Sequence, residues 1–589
     1  MQKKVQTSRL DTVSSTVPAF NAATEPRANI SMNVQNATKP TPLTSVREKI
    51  PHRDLPRGLA FKPKTSLLPT PIQVDLLSSL LKDYHDANYV IGGFTNGFKL
   101  CFEGSKSSFI SDNSPTVTHN ASIAHEKIKS EIKLNRIAGP FHHPPFNPFK
   151  VSPLALREKS ESGKFRLLRN LSYPYNNDSV NANIPEHCSK VRYESLSDAI
   201  RFVQDIPQAW MAKVDIADAF RLIPINPSDY YLTGFHLDGY YFDKCLPMGC
   251  SSSCMIFERF SSSLKWILNT HYNVVNVVKV LDDFMFIGKT ESLCALYLKS
   301  FINMCSLINI PIANHKTMGP TKKLTFLGIE LDSMNMLARL PHEKLIRYSK
   351  NVDDMLNSSS CSLKTLNTIT GQLQFSTTVI KAGRPFLRRL YDATIGLRRK
   401  DQILLLSDAM KSDLKIWKEF LSNYNGITLI SIPISFSSLD IHLYSDSSLK
   451  GFGGVYGTRY IYGSFPRSWQ KLDIQVLELY PVFLLINIFH KEFSNKRIIF
   501  HCDNASVVSA LNKQTSKCRQ MMSLLRPLIL LFLLNNINFS SLHIPGKLNI
   551  LCDKLSRNQI TEELLRRHGM DSQATPIPQC LLPINFKIQ

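Results

Sequence analysis

What the sequence is short of narrows it first. No two of its twelve cysteines form a CxxC pair, which argues against zinc ribbons, zinc knuckles and a disulfide framework and leaves free thiols as the plain reading. No apolar run approaches the roughly 20 residues that a membrane span needs. The longest, PLILLFLLNNINF from Pro527, meets Asn535 and reads as a buried helix. The N-terminus, MQKKVQTSRL, has no apolar signal-peptide core, which predicts an intracellular protein and leaves cytoplasm and nucleus open. No internal repeat of solenoid type is present. Acidic residues are also scarce: 47 Asp+Glu against 70 Lys+Arg leave a formal charge of +23. That excess favours a polyanionic partner, nucleic acid first and an acidic membrane surface second.

What is there is globular. The 589 residues are 43% hydrophobic and 10% aromatic, enough for about three or four folding units. Residues 1–60, rich in Ser, Thr, Asn, Pro and Ala, read as a disordered leader. Residues 61–140 read as a helical extension: Leu76, Leu77, Leu80 and Leu81 recur at helical spacing, and Ala124, Ile128 and Ile132 share a face of a second helix ending at Gly139. FHHPPFNPFKVSP reads as an extended covering strap. KFRLLRNL reads as a strand, YESLSDAIRFVQDI as an amphipathic helix, WMAKVDIADAF as a strand running into acids, and HYNVVNVVKVLDDFMFIG as strand, acidic turn, strand. Residues 341–425 are Leu-rich and helical, alternation from Ile427 to Ser437 opens a new sheet within 426–560, and 561–589 form a tail.

Two ordered sets of carboxylates stand out. Asp215 ends VDIADAF, and Asp282 and Asp283 occupy the turn of VLDDF. Carboxylates on neighbouring strand ends could hold two divalent metals for phosphoryl transfer, and hard oxygen ligands suit magnesium. Alone, an Asp-Asp turn is an ordinary solvated hairpin. The second set is Asp446 in YSDSSLKGFGG, Glu478 in LELYP, Asp503 in HCDNAS and Asp553 in HIPGKLNILCDKLSR. One acid on a first strand, one on a following helix, one at a later strand end and one on a last helix can converge on two metals.

The succession VDIADAF, LPMG with SSSCMIFERF, VLDDF, NHKT and LTFLGIEL, over roughly Phe141 to Leu340, resembles the ordered palm motifs of reverse transcriptases. That resemblance implies Asp215, Asp282 and Asp283 as catalytic metal ligands, with Asp283 less directly bound. It implies that Lys159 and Arg166 grip the incoming triphosphate, that Phe220 is a steric gate against a ribose 2′-hydroxyl, and that Lys316 is a candidate proton donor to pyrophosphate. Gly249, lacking Cβ, lets backbone approach the nucleotide closely. Met248 departs from the glutamine of retroviral enzymes, and Cys254 stands where many relatives carry proline. The second set, over about Leu439 to Arg557, resembles the four-carboxylate site of ribonuclease H, a resemblance that implies Asp446, Glu478, Asp503 and Asp553 as catalytic metal ligands. Within that resemblance His543 could be the product-release histidine, in a loop shorter than that of the retroviral and cellular enzymes, Asn504 could contact the RNA strand, and Asn549 orients the turn before the last helix.

AFRLIPINPSDYYLTGF, YYFDKCLPMGCSSSCMIFERFSS, LNKQTSKCRQMMSLLRPL and HIPGKLNILCDKLSR look most like the polyproteins of tyrosine-recombinase retrotransposons, the DIRS and Ngaro group. No DTG or DSG protease signature, HHCC zinc module or integrase triad is evident. The resemblance implies an α+β multidomain fold: a right-hand polymerase of fingers and palm (141–340) and helical thumb or connection (341–425), followed by a ribonuclease H-like α/β domain with a mixed sheet (426–560). It implies an RNA- and DNA-directed DNA polymerase with linked ribonuclease H. Two Mg2+ per site are expected, with Mn2+ as the alternative, and the partners would be RNA template, DNA primer, RNA–DNA hybrid and deoxynucleoside triphosphates, with no membrane. Oligomeric state is left open. The competing reading is a degenerate or domesticated retroelement protein that binds nucleic acid without catalysis.

Overall fold

The computed structural model describes residues 68–158, 163, 165–175, 178–423, 425–428, 440–586 and 588. The expected leader, Lys159 and most of the alternating stretch after Ile427 lie outside the described residues. The chain is a mixed α and β, multidomain architecture, as expected.

Its centre is a four-stranded antiparallel sheet in the order Met318–Thr321, Trp210–Asp215, Asp283–Gly288, Val277–Val280. Alternate side chains leave opposite faces of a strand, and here both faces are covered. Val214, Phe284 and Phe286 enter one core with helices Ser253–His271 and Glu291–Leu307. Met211, Met285 and Ile287 enter a second with helix Leu196–Asp205 and with Tyr348 of helix His342–Leu356. Helix Leu196–Asp205 starts where its sequence says it should: Ser195 donates its N–H and Oγ–H to Asp198 at 2.8 and 2.9 Å.

The N-terminal helices Val74–Leu80 and Ala87–Asn96 bury Leu77, Leu80 and Phe94 in the first of these cores. Helix Ala121–Lys133 buries Ala124 and Ile128 and stops at Leu134, followed by Asn135 with φ 57°. It therefore ends short of Gly139, which lies in strand Ile137–Phe141 with φ 125°. The proline-rich strap is also corrected. Lys150–Val151 is a strand of a five-stranded sheet, in the order Phe109–Ile110, Lys150–Val151, Gly234–His236, Tyr240–Asp243, Ile137–Phe141. Phe149 and Val151 are core residues, because long-range pairing supplies the backbone partners that the prolines deny locally. Beside that sheet stands the hairpin of Leu154–Glu158 with Phe165–Arg169.

Helices His342–Leu356, Leu363–Ser376 and Asp408–Asn423 close around a fully buried Trp417. Ile427–Thr428 pairs back onto Leu337 and Ala338, extending the sheet of Lys323–Phe326, Ile329–Asp332 and Leu337–Arg339 rather than opening a new one. The last sheet is mixed, in the order Arg459–Ser464, Gly451–Tyr456, Ile441–Ser447, Arg497–Cys502, Asn538–His543, with two antiparallel and then two parallel joins. Helices Ile474–Phe489 and Arg519–Leu534 share its large core, and Cys552 and Leu555 of helix Ile550–Ser556 form a smaller one with Val455 and Tyr460. The run at Pro527 is thus part of a packed helix, and no helix among the described residues is long and apolar enough to cross a membrane.

Candidate active sites

Asp215 and Asp283 are register partners across the two central strands. Asp282 sits in the turn between Val280 and Asp283, next to Leu281, whose φ of 54° is unusual for a residue with a branched side chain. The turn is tied to the neighbouring strand by the Ile216 N–H, which donates to the Asp282 carbonyl at 3.1 Å, and Ala313 N–H donates to the Asp215 carbonyl at 2.9 Å. Lys316 Nζ donates to Asp215 Oδ2 at 2.9 Å. Burial, and then the neighbouring acids, hold the Asp282 and Asp283 carboxyls above their usual range; Asp283 is pushed up to about 6 by burial, Asp282 and Asp215. Carboxylates crowded against one another, with Lys316 and Lys213 beside them, form a hard-oxygen donor set that fits Mg2+.

A cavity of about 610 Å³ opens on this set, lined among others by Arg166, Phe220, Met248, Asp215, Asp282 and Lys316. Three of the residues expected to bind a nucleotide therefore meet at one place, while Lys159 lies outside the described residues. Phe220 packs edge-on against Phe257, with ring centroids 5.7 Å apart. Gly249 has φ 125°, and a Cβ there would lie 1.9 Å from the Arg169 carbonyl oxygen. Glycine is thus demanded by the protein's own backbone. The Asn181 side chain holds the same loop, donating to the Gly249 carbonyl at 2.8 Å and accepting from Ser251 N–H at 2.9 Å.

Two supports were not read from the sequence. Beneath the acidic turn, the Glu258 carboxylate accepts from Leu281 N–H at 3.2 Å and from Lys279 Nζ, both side chains being buried. Beside the cavity, Arg221 and Arg169 share the buried carboxylate of Asp243, at 2.8 and 2.9 Å. The available signal was a charge in an apolar run: Glu258 in CMIFERF, Lys279 in VVKV and Arg221 in AFRLI.

The second acidic set also converges. Asp446 is the penultimate residue of the central strand of the mixed sheet, Glu478 lies in the first turns of helix Ile474–Phe489, Asp503 follows strand Arg497–Cys502, and Asp553 is on helix Ile550–Ser556. Ser447 Oγ–H donates to the Leu477 carbonyl at 2.8 Å, fixing that helix to the strand. Ser556 Oγ–H donates to Asp446 at 2.6 Å, and Arg557 to Asp553 at 2.7 Å. Glu478 is only 6% exposed, yet its Oε2, like Oδ1 of Asp503, has no hydrogen-bond partner. Burial, then Asp446 and Asp503, push Glu478 up to about 9; burial also raises Asp446, with Asp503 and Asp553 adding to it. Orphaned carboxylate oxygens aimed at other acids are costly unless a cation joins them, so these residues fit the expected metal. The Cys502 sulfur, Glu478 and Asp503 lie within 4.8 Å of one another.

The neighbours of this set have defined tasks. Asn504 Oδ1 caps helix Ala505–Lys513, accepting from Ser506 N–H at 2.9 Å and Val507 N–H at 3.2 Å. Asn549 donates to the Ser445 carbonyl at 2.8 Å, tying the turn before the last helix to the Asp446 strand. His543 Nε2 lies 2.9 Å from the Asp503 carbonyl.

Residues 158–331 match the family described as reverse transcriptase (RNA-dependent DNA polymerase). The chain is 22% identical over 377 residues to an enzymatic polyprotein of Cassava vein mosaic virus, covering 60% of this chain and 53% of that protein. It is 23% identical over 222 residues to the Gag-Pro-Pol polyprotein of Bovine leukemia virus, covering 36% and 15%. The chain thus spans about half the length of the first relative and less of the second. Among solved structures it is similar to the foamy viral protease-reverse transcriptase in complex with RNA/DNA hybrid, with TM-score 0.46, 14% identity and coverage of 82% of this chain and 64% of that one.

Proposed function

We propose that this chain is an RNA- and DNA-directed DNA polymerase with a linked ribonuclease H, copying retroelement RNA into DNA. The observation that carries the reading is the meeting of Asp215 and Asp282 with Arg166, Phe220 and Lys316 at one cavity, with Asp283 the register partner of Asp215, inside the segment that matches reverse transcriptases. Its partners are then an RNA template, a DNA primer, their hybrid and deoxynucleoside triphosphates. The narrower likeness to the DIRS and Ngaro group rests on the sequence phrases quoted above.

In this reading the carboxylates of Asp215, Asp282 and Asp283 hold Mg2+, or Mn2+ as the alternative. When bound, the metals lower the cost of a developing primer alkoxide and neutralise charge on the triphosphate. Arg166 provides a planar fork for phosphate oxygens. The Phe220 ring excludes a 2′-hydroxyl. The primer 3′-hydroxyl attacks the α-phosphorus, the bond to the bridging oxygen breaks, and pyrophosphate leaves; Lys316 is the candidate donor of its proton. Most of the acceleration is positioning. In the last domain, Asp446, Glu478, Asp503 and Asp553 would hold the metal ions, which would supply activation of water and stabilisation of the leaving 3′ oxygen of RNA. The +23 charge suits a long duplex held by its phosphates.

The deciding experiment is paired primer extension and hybrid cleavage on one preparation. Asp282→Asn should lower extension by about 10²–10³-fold or more and leave cleavage intact, and Asp503→Asn should do the reverse. Equal extension by wild type and Asp282→Asn would remove the assignment, and salt-dependent hybrid binding without metal-dependent turnover would favour the binding-protein reading.

A further inference from the structure

The residue after the proposed gate is the most heavily engaged side chain around the nucleotide cavity. Arg221 places Nε 2.7 Å from Glu131 Oε2 and Nη2 2.8 Å from Asp243 Oδ1, while Nη1 donates to the carbonyls of Cys245 and Leu246 at 3.1 and 3.2 Å. Those carbonyls lead directly into Pro247, Met248 and Gly249, the loop forming part of the cavity wall. The Asp243 side chain is only 2% exposed, and its other oxygen lies 2.9 Å from Arg169 Nε as an ion pair without hydrogen-bond geometry. Arg169 ends the strand that carries Arg166, and its own N–H donates to the Met248 carbonyl at 3.0 Å. One buried carboxylate therefore links the gate turn, the phosphate-gripping strand and the Met248 loop.

From this geometry we infer that Arg221, acting through Asp243 and Arg169, is a positioning residue that sets the distance between the Phe220 ring and the Met248 loop, and so determines how strictly the site selects deoxynucleotides over ribonucleotides. The inference rests on the polymerase reading above. A planar guanidinium spans Glu131, Asp243 and the carbonyls of Cys245, Leu246 and Arg136 at once; an ammonium at the same place is a point donor that cannot keep all five. Loosening this frame widens the pocket beside the sugar without removing any group that touches metal or phosphate. The polar partners are fixed from every side: Glu131 on helix Ala121–Lys133, Asp243 on its strand, and Arg136, whose Nη1 pairs with Asp218 at 3.0 Å at the start of the gate turn.

The test is single-nucleotide incorporation with matched deoxy- and ribonucleoside triphosphates by the full chain. Arg221→Lys and, independently, Asp243→Asn should lower the deoxy-to-ribo ratio of kcat/KM by about tenfold, mainly through a higher KM for the deoxynucleotide and a higher rate with the ribonucleotide. Hybrid cleavage should be unchanged. A ratio within about twofold of wild type in both variants, with extension intact, would overturn the inference alone. Equal losses on both nucleotides, or loss of hybrid cleavage alongside, would mark the cluster as merely structural and overturn it as well. Wild-type chain that extends no primer would defeat the polymerase reading and this inference together.

Discussion

The Glu258 carboxylate accepts the Leu281 N–H at 3.2 Å from beneath the turn that carries Asp282. Because Leu281 holds φ 54°, a conformation that costs a branched residue about 1–3 kcal/mol, this hydrogen bond and the Lys279 ion pair keep the turn in shape. Glu258→Ala should destabilise the chain by about 3–5 kcal/mol, since it strands the Lys279 ammonium in the core, and should depress extension more than hybrid cleavage. Glu258→Gln retains an acceptor for Leu281 and should fall between. Denaturant unfolding beside both activity assays measures this; unchanged stability in Glu258→Ala would refute it.

Gly249→Ala should be damaging although the residue carries no chemistry. Its Cβ would meet the Arg169 carbonyl in a backbone conformation with φ 125°, so the Met248 loop must shift. The expected outcome is a loss of about 1–3 kcal/mol and a raised KM for deoxynucleotides, read by thermal unfolding and steady-state extension.

The second acidic set should make metal binding strongly pH-dependent. Glu478 is held up to about 9 by burial and by Asp446 and Asp503. A folded-state value above the unfolded one means that the native state keeps a proton which the unfolded chain has released. Without metal, Glu478 therefore contributes stability at low pH that is lost as pH rises from its unfolded value near 4.5 through about 9. Compared with Glu478→Gln, metal-free wild type should lose thermal stability steadily across that window. The increment added by Mg2+ should grow over the same range, with proton release visible by calorimetry. A metal-free difference that moves the other way would contradict the assignment.

The junction between the helical region and the last domain should depend on Asp413. Its buried carboxylate meets Arg389 at 2.7 Å and Arg526 of helix Arg519–Leu534 at 3.7 Å. Asp413→Ala leaves two guanidinium groups without their partner and should cost about 3–5 kcal/mol. The expected sign is a separation of one unfolding transition into two by calorimetry.

Local chemistry made much of this legible. Asp215, Asp282 and Asp283 sit where apolar strands run into acids, and Asn549 ties its turn as anticipated. Features decided by distant partners were hidden. FNPFKV reads as a broken strap because its strand partners, Phe109–Ile110 and Gly234–His236, come from remote segments. The helix expected to reach Gly139 stops at Leu134, because Ile137–Phe141 pairs with Tyr240–Asp243. Arg221 looks like a stray charge until Glu131, Asp243 and three carbonyls fold around it, and Glu258 looks like a helix-surface acid until Lys279 arrives from the next hairpin.

The Asp413 junction has a consequence for timing. Helix Arg519–Leu534 is pinned to the preceding helices by Arg526 on Asp413, by Arg519 3.8 Å from Asp392, and by Leu533 against their core. If both acidic sets work on one hybrid, such a joint makes the chain a ruler. RNA would be cut at a set number of base pairs behind the growing DNA end, and loosening the joint would blur a sharp ladder of cleavage products into a smear.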